Sequence, residues 1–424
     1  MKTNHYDVII VGGGPAGLAA AIALADSGDT QVDREHDLRP RFRILIIERH
    51  DGPVDKACGE GIMPTGLACL EGLGVMDFSM GPETDFGPAA KSRATGFPFR
   101  GILYHSARGR TAAADFAEGP GRGLRRLELS RVLEFHARQR GVEIRRLRYR
   151  SFQYEGDTVI IRTDQENFST RLLIGADGLH SRIRRQAGLA GPAAKLRRWG
   201  ARRHFRVKPW SPYVEVHWRR GLEAYVTPVG PEEVGIALLW NAERLRPGGQ
   251  DVHAALLKYF PELERRLNGA TPLSTTRTAG PLKQKTNGTV TDGVLLLGDS
   301  AGYLDALTGE GLSLAFAEAL ALREGVTPLL ARRGGRLAGE ELGAFADTQR
   351  RITAPYYRTT GWVLLLHRLP FLQESAIFLL EKFPGLFQYF LSVNMGTKKL
   401  FAKSSHPAGP ASKTRRFAAH PWKD

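Results

Sequence analysis

A chain of 424 residues with 42% hydrophobic and 25% charged residues has an ordinary globular balance and room for two or three domains, which excludes a disordered or collagen-like protein. Lys plus Arg is 60 against 44 for Asp plus Glu, a formal charge of +16, yet the basic stretches RRLRYR (145–150) and RRWGARRHFR (197–206) come without a helix-turn-helix, zinc-finger or RRM signature; they read as solvated faces, and nucleic acid is not an expected partner. Two cysteines, Cys58 and Cys69, exclude a disulfide framework and a four-ligand zinc site, so no metal is expected, and with no secretory pattern before Tyr6 a cytoplasmic location is the default.

In chain order, Tyr6 to Val11 is a short apolar run, as expected of a strand buried on both faces. GGGPAG follows, then an alanine-rich helix from Pro15 to about Asp26, with proline suited to its first turn. The polar stretch Gly28 to Arg43 has no periodicity and reads as an inserted loop before a second strand, Ile44 to Ile47, which ends in Glu48 and Arg49. Leu124 to Leu133 starts a helix. Leu172 to Ile174 and Val294 to Leu297 are further buried strands, each running into a glycine turn. Between them Tyr213 to Trp218 and Glu223 to Leu239 alternate like an antiparallel sheet, interrupted by Pro228 and Gly230. From Ala354 to Gly396 the chain is rich in Leu, Phe and Tyr, broken by Pro370 and Pro384. No run there approaches the roughly 18 residues that cross a bilayer, so short amphipathic helices are expected, covering core or resting on a membrane surface. A basic tail follows from Lys398.

The chemistry begins at Gly12, Gly14 and Gly17, a GxGxxG. Gly12 permits the tight turn, Gly14 lets a pyrophosphate approach the helix N-terminus beside Pro15 and Ala16, and Gly17 lets helix and strand pack closely. Glu48, at the end of the next strand, is placed for the ribose hydroxyls of an adenosine. This motif alone leaves NAD and FAD equally open. Two later motifs, GADGLHSRIRR from Gly175 and GDSAGYLDALTGEG from Gly298, resemble the second and third fingerprints of FAD-dependent enzymes of the aromatic-hydroxylase and geranylgeranyl-reductase superfamily. KACGEG, from Lys56, is similar to the K-x-C-G-x-G motif of geranylgeranyl reductases, near flavin and substrate in that family.

The resemblance implies an α/β fold: a three-layer Rossmann-like FAD-binding domain (1–78, 124–196, 284–325), an inserted antiparallel β-sheet substrate domain (79–123, 197–283), a helical C-terminal region (326–397) and a flexible basic tail (398–424). It implies that Arg49, Lys56, Arg126, Ala176, Asp177, Gly178, Gly298, Asp299, Gly309 and Gly311 join the fingerprint in holding FAD, Asp299 on the ribityl chain. A helix from Thr308 to about Arg323 would stabilise reduced flavin with its N-terminus. Tyr225 and Pro228 fall where the family faces flavin and substrate, and Cys58 or Glu60 would supply a proton in the reduction of a C=C bond of a hydrophobic substrate. NAD(P)H or another reductant would recharge the flavin. Oxygen-dependent hydroxylation of an aromatic or polyketide-like molecule, or less readily halogenation, is the alternative, since no W-x-W occurs. A flavoprotein that passes electrons to a protein partner is a third reading, and it requires an exposed flavin edge and a shallow cavity. Peripheral contact with the inner face of a membrane fits the C-terminal region.

Overall fold

The computed structural model describes residues 4–26, 42–75, 96–194, 197–332 and 334–398. Most of the polar insert, the start of the expected substrate domain and the tail after Lys398 lie outside them.

Five parallel strands make the centre of an eight-stranded sheet, in the order Val294–Leu296, Asn167–Gly175, Asn4–Val11, Ile44–Glu48, Glu143–Arg146. The hairpin Tyr149–Glu155 and Thr158–Thr163 adds to the strand Asn167–Gly175 antiparallel. Val, Ile and Leu fill these strands because both faces are covered, as in other parallel sheets. On one face the helices Pro15–Ala25, Arg126–Gln139 and Gly311–Ala331 pack with the strands into one core containing Ile10, Leu18, Ile46, Leu133, Ile174 and Phe316. Strand ends are aligned by backbone bonds: Gly12 N–H donates to Ile47 O (2.9 Å), Ala176 N–H to Val11 O (2.9 Å) and Leu297 N–H to Gly175 O (2.9 Å). That alignment sets three glycine turns side by side at the C-terminal edge, where open α/β sheets bind ligands.

A second eight-stranded sheet is mostly antiparallel and includes Gly101–His105, Thr111–Asp115, Arg198–Arg206, Tyr213–Arg219, Leu222–Gly230 and Glu233–Asn241. Pro228 does not interrupt the strand Leu222–Gly230; the register shifts by one between Pro228 and Gly230 and the strand runs on. A small three-stranded sheet of Gly61–Ile62, Phe97–Phe99 and Gly121–Gly123 packs against the strand Leu222–Gly230 of the second. It closes through glycine: a Cβ at Gly123 would lie 1.8 Å from Pro228 O.

The arginine-rich strand Arg198–Arg206 corrects the reading of a solvated face. Arg198, Arg202 and His204 are buried, because this strand is paired on both sides and acids distant in sequence meet its inward side chains. Arg198 sits between Glu223 and Asp305, and Arg202 between Asp55 and Glu60. The helix opened by the third fingerprint runs past Arg323 to Ala331, through Pro328. The C-terminal region is one long helix, Gly339–Arg368, and two shorter ones, Pro370–Lys382 and Pro384–Asn394, with Pro370 and Pro384 as first residues. Among the described residues no single helix is long and apolar enough to cross a membrane.

Candidate functional site

A cavity of about 950 Å³ opens at the C-terminal edge of the parallel strands. It brings together Gly12, Gly14, Pro15, Ala16, Glu48, Arg49, Lys56, Cys58, Glu60, Arg126, Ala176, Asp177, Gly178, Tyr225, Gly298, Asp299, Gly309 and Gly311. Two expected residues do not line it. Gly17 works behind the wall, where a Cβ would come within 2.0 Å of Gly12 O. Pro228 was expected on the substrate side, but side chains of a strand alternate, so Tyr225 and Thr227 face the cavity and Pro228 turns away from it.

The adenosine half is built from the first fingerprint. Gly12 has φ +113°, and a Cβ there would meet Ala176 O at 2.3 Å, so only glycine makes this turn. The nearest atom to a Cβ at Gly14 is Arg126 Nη2 at 3.5 Å, which leaves the helix N-terminus open toward the cavity with a guanidinium beside it. Glu48 accepts from Gly13 N–H (2.7 Å) and His50 N–H (3.1 Å), and these fix its carboxylate at the strand end. A pyrophosphate on that N-terminus and a ribose on Glu48 match the donors and acceptors present.

At the other fingerprints a polar staple joins the loops. Gly178 N–H donates to Ser300 Oγ (2.8 Å), which donates to Asp177 Oδ1 (3.2 Å), and Asp177 Oδ2 accepts from Arg182 N–H (2.7 Å). Buried Arg184 donates to the carbonyls of Leu179 (2.7 Å), Asp299 (3.2 Å) and Ser300 (3.0 Å). Asp299 is thereby held at the cavity wall. Burial raises its carboxyl pKa, against Arg126, Lys56 and Arg184, which lower it. Lys56 projects into the cavity; enclosure and then Arg126 lower its pKa, while Glu48 and Asp299 raise it. These residues fit FAD end to end: an anion site, a ribose acceptor and a carboxylate for the ribityl chain.

The loop from Asp55 to Glu60 is clamped from the second sheet. Arg202 pairs with Asp55 and donates to Lys56 O (2.9 Å), and His204 Nε2 bonds Glu60 Oε2 (2.5 Å). Glu60 also accepts from Arg126 N–H (2.9 Å), capping a helix, Arg126–Gln139, that has no capping side chain of its own. Its φ of +59° makes Glu60 the one non-glycine residue in the left-handed region among those described, a strain of roughly 1–3 kcal/mol that the surrounding bonds hold in place. Burial opposes its ionisation, but the His204 hydrogen bond and charge, then Arg202 and the Arg126 N–H, outweigh it and keep the carboxyl below its usual pKa. Cys58, on the same loop, behaves oppositely: burial raises its thiol pKa against the pull of Arg126. At neutral pH the loop therefore presents a pinned carboxylate and a protonated thiol. Tyr225 donates its hydroxyl to Leu307 O (2.9 Å), and burial pushes its pKa well up.

Sequence reasoning missed Arg184, Arg202 and His204. The signal for Arg184 was its place inside GADGLHSRIRR, whereas nothing local marks Arg202 and His204, whose partners are more than 140 residues away. Among the described residues one group has metal-ligand chemistry, His105, Glu215 and His217. It lies on the opposite face of the sheet from cavity-lining Val214 and Val216, and its two imidazoles, with burial opposing, hold Glu215 well below the usual carboxylate range.

Glu318, on the helix Gly311–Ala331, supports the same wall by accepting from Gly298 N–H (2.7 Å), and burial raises its pKa to about 7. A raised carboxyl stabilises the fold fully below the ordinary glutamate value, and this contribution is lost as pH rises through about 7. The melting temperature should therefore fall between about pH 4.5 and about pH 7, where Glu310, which burial also raises to about 7, contributes alongside, and Glu318→Gln, permanently neutral, should reduce that slope in a thermal unfolding series. An unchanged slope in the variant would show that Glu318 does not titrate there.

The model of the FAD binding domain family matches residues 5–334. The chain is 27% identical over 322 residues to digeranylgeranylglycerophospholipid reductase 2 of Methanopyrus kandleri, covering 73% of each chain. It is 27% identical over 338 residues to menaquinone reductase of Mycobacterium tuberculosis, again covering 73% of each. A flavoprotein/dehydrogenase structure from Cytophaga hutchinsonii superposes with a TM-score of 0.75 over 93% of both chains at 16% identity, a likeness of fold. With three fingerprints on one cavity and a family match over most of its length, the chain belongs to the FAD binding domain family and is an FAD-dependent oxidoreductase of the geranylgeranyl-reductase and aromatic-hydroxylase superfamily.

Proposed function

We propose that the protein reduces C=C bonds of a polyprenyl-like lipid. The observation that carries this is a single cavity in which the flavin fingerprints, the Cys58 thiol and an apolar wall meet. That wall comes from Met63, Ile102, Tyr104 and Val216 together with Phe390 and Leu391 of the last helix, all packed in one apolar cluster. A long hydrocarbon is favoured there at roughly 25 cal/mol per Å² of apolar surface removed from water. When bound, FAD supplies the hydride and is recharged by NAD(P)H or another reductant. The chain's own part is to orient the alkene and to deliver a proton from Cys58 Sγ to the neighbouring carbon, leaving a thiolate that water reprotonates. Glu60, already ionised and bonded on both oxygens, positions that loop. The reading also agrees with the two reductases at 27% identity, whose names specify a geranylgeranylated lipid and a menaquinone.

The test is anaerobic incubation of holoprotein, a chemical reductant and a detergent-dispersed geranylgeranyl lipid, followed by mass analysis. Products heavier by pairs of hydrogens are expected without air. A product formed only in air and carrying oxygen would replace this reading by the oxygenase.

A further inference from the structure

Ten of the twelve large apolar side chains that the described residues expose lie between Tyr357 and Leu386. Soluble surfaces scatter such residues singly, so this concentration asks for an occupant. The residues cluster where the three C-terminal helices meet: Trp362 and Leu369 near the end of the long helix, Phe371 at the start of the next, and Phe383 and Leu386 at the following corner. Trp362 is 62% exposed, Phe371 79% and Phe383 58%. The opposite faces of the same helices are committed to protein, with Val363, Ile377 and Phe387 in the core under the second sheet. Such helices can sink one side into an interface.

We infer that this corner is the surface by which the protein docks on an anionic lipid bilayer, which deepens the proposed function by naming where the substrate enters. Charge selects the occupant. Exposed Arg358 stands one turn before Trp362, and Lys382 lies over the Phe378 ring at 6.0 Å, as does Arg110 at 4.8 Å while paired with Glu381 (3.2 Å). The sequence that follows adds Lys398, Lys399, Lys403, Lys413, Arg415, Arg416 and Lys423 against one acid, Asp424. Anionic head groups attract this set, whereas a second copy of the chain would oppose like charges to it. The last helix links dock and site, because Leu386 is exposed at its start while Phe390 and Leu391, a turn further on, line the cavity. A lipid leaving the bilayer at this corner meets the apolar end of the cavity directly.

The experiment is flotation of the full-length holoprotein with phosphatidylcholine vesicles, with and without phosphatidylglycerol. Binding is expected to the anionic vesicles, weakening as salt rises, and to fall at least ~10-fold in the triple variant Trp362→Ser, Phe371→Ser, Phe383→Ser. Retained FAD in the variant shows that it folds. Three results would overturn the inference: no binding at low salt, undiminished binding by the triple variant, or a dimer in sedimentation that the variant abolishes, which would give the face to a second copy. The reductase reading is scored separately, by turnover of detergent-dispersed substrate, so either can fail alone.

Discussion

Asp299→Ala protein should purify colourless or nearly so. In the fold Asp299 ends the turn after Val294–Leu296, its carbonyl held by Arg184 and its carboxylate at the cavity wall near the cations Lys56 and Arg126. Alanine takes one of the nearby acids from those cations and leaves the ribityl hydroxyls without that charged acceptor. Hydrogen bonds to charged groups are worth about 1.5–3 kcal/mol each, so the loss of one or two weakens FAD by roughly 10- to more than 100-fold. Flavin absorbance of the purified protein, and titration of apoprotein with FAD, read this out. Asp299→Asn, which keeps an acceptor, should recover part of the affinity. Normal flavin content in the alanine variant would remove Asp299 from the site.

Cys58→Ala should separate catalysis from binding. The thiol accepts only the Glu60 N–H (3.4 Å), and Arg202 on Asp55 and His204 on Glu60 fix the loop, so the fold should survive its loss. Flavin content and flavin reduction by the donor should stay near parent values. Turnover of the lipid should fall by about 10²–10⁴-fold, the usual loss on removing a general acid. The raised thiol pKa sets the sign of the pH dependence: the donor is protonated below its pKa and lost above it, so the Cys58-dependent fall in rate should come at higher pH than an ordinary cysteine's ~8.5. Turnover unchanged in Cys58→Ala would mean that the sulfur only packs and that water or another group supplies the proton.

The parts of this molecule legible in its sequence are those whose signal is local. A strand that ends in Gly12 and a helix that begins at Pro15 announce themselves by apolar runs and by residues only one backbone conformation accepts. The third fingerprint is equally plain in Gly298 and Asp299. What local pattern hides is decided by partners far along the chain. Arg202 and His204 sit in a stretch that looks like a solvated face until Asp55 and Glu60 are folded against it. Pro328 suggests a helix end, but Phe316, Leu322, Val326 and Leu330 bury one face of Gly311–Ala331, and that burial outweighs the roughly 3 kcal/mol a proline costs inside a helix. Pro228 reads as a break for the same reason and is instead a strand residue facing away from the cavity. Glu60, read as an acid–base candidate from its place between two glycines, is brought to the cavity but with both oxygens already bonded, a circumstance only tertiary structure creates.

The central claim, that reducing equivalents pass from FAD to an alkene with a proton from the site, is tested most directly by a single turnover in deuterated water. Holoprotein reduced without air is mixed with a detergent-dispersed geranylgeranyl lipid, while flavin absorbance is followed and the product is weighed. The predicted result is anaerobic reoxidation of the flavin together with a saturated bond that carries solvent deuterium at the protonated carbon, both slowed in Cys58→Ala. Flavin that stays reduced with the lipid and reoxidises only when oxygen is admitted, yielding an oxygenated product, would contradict the account.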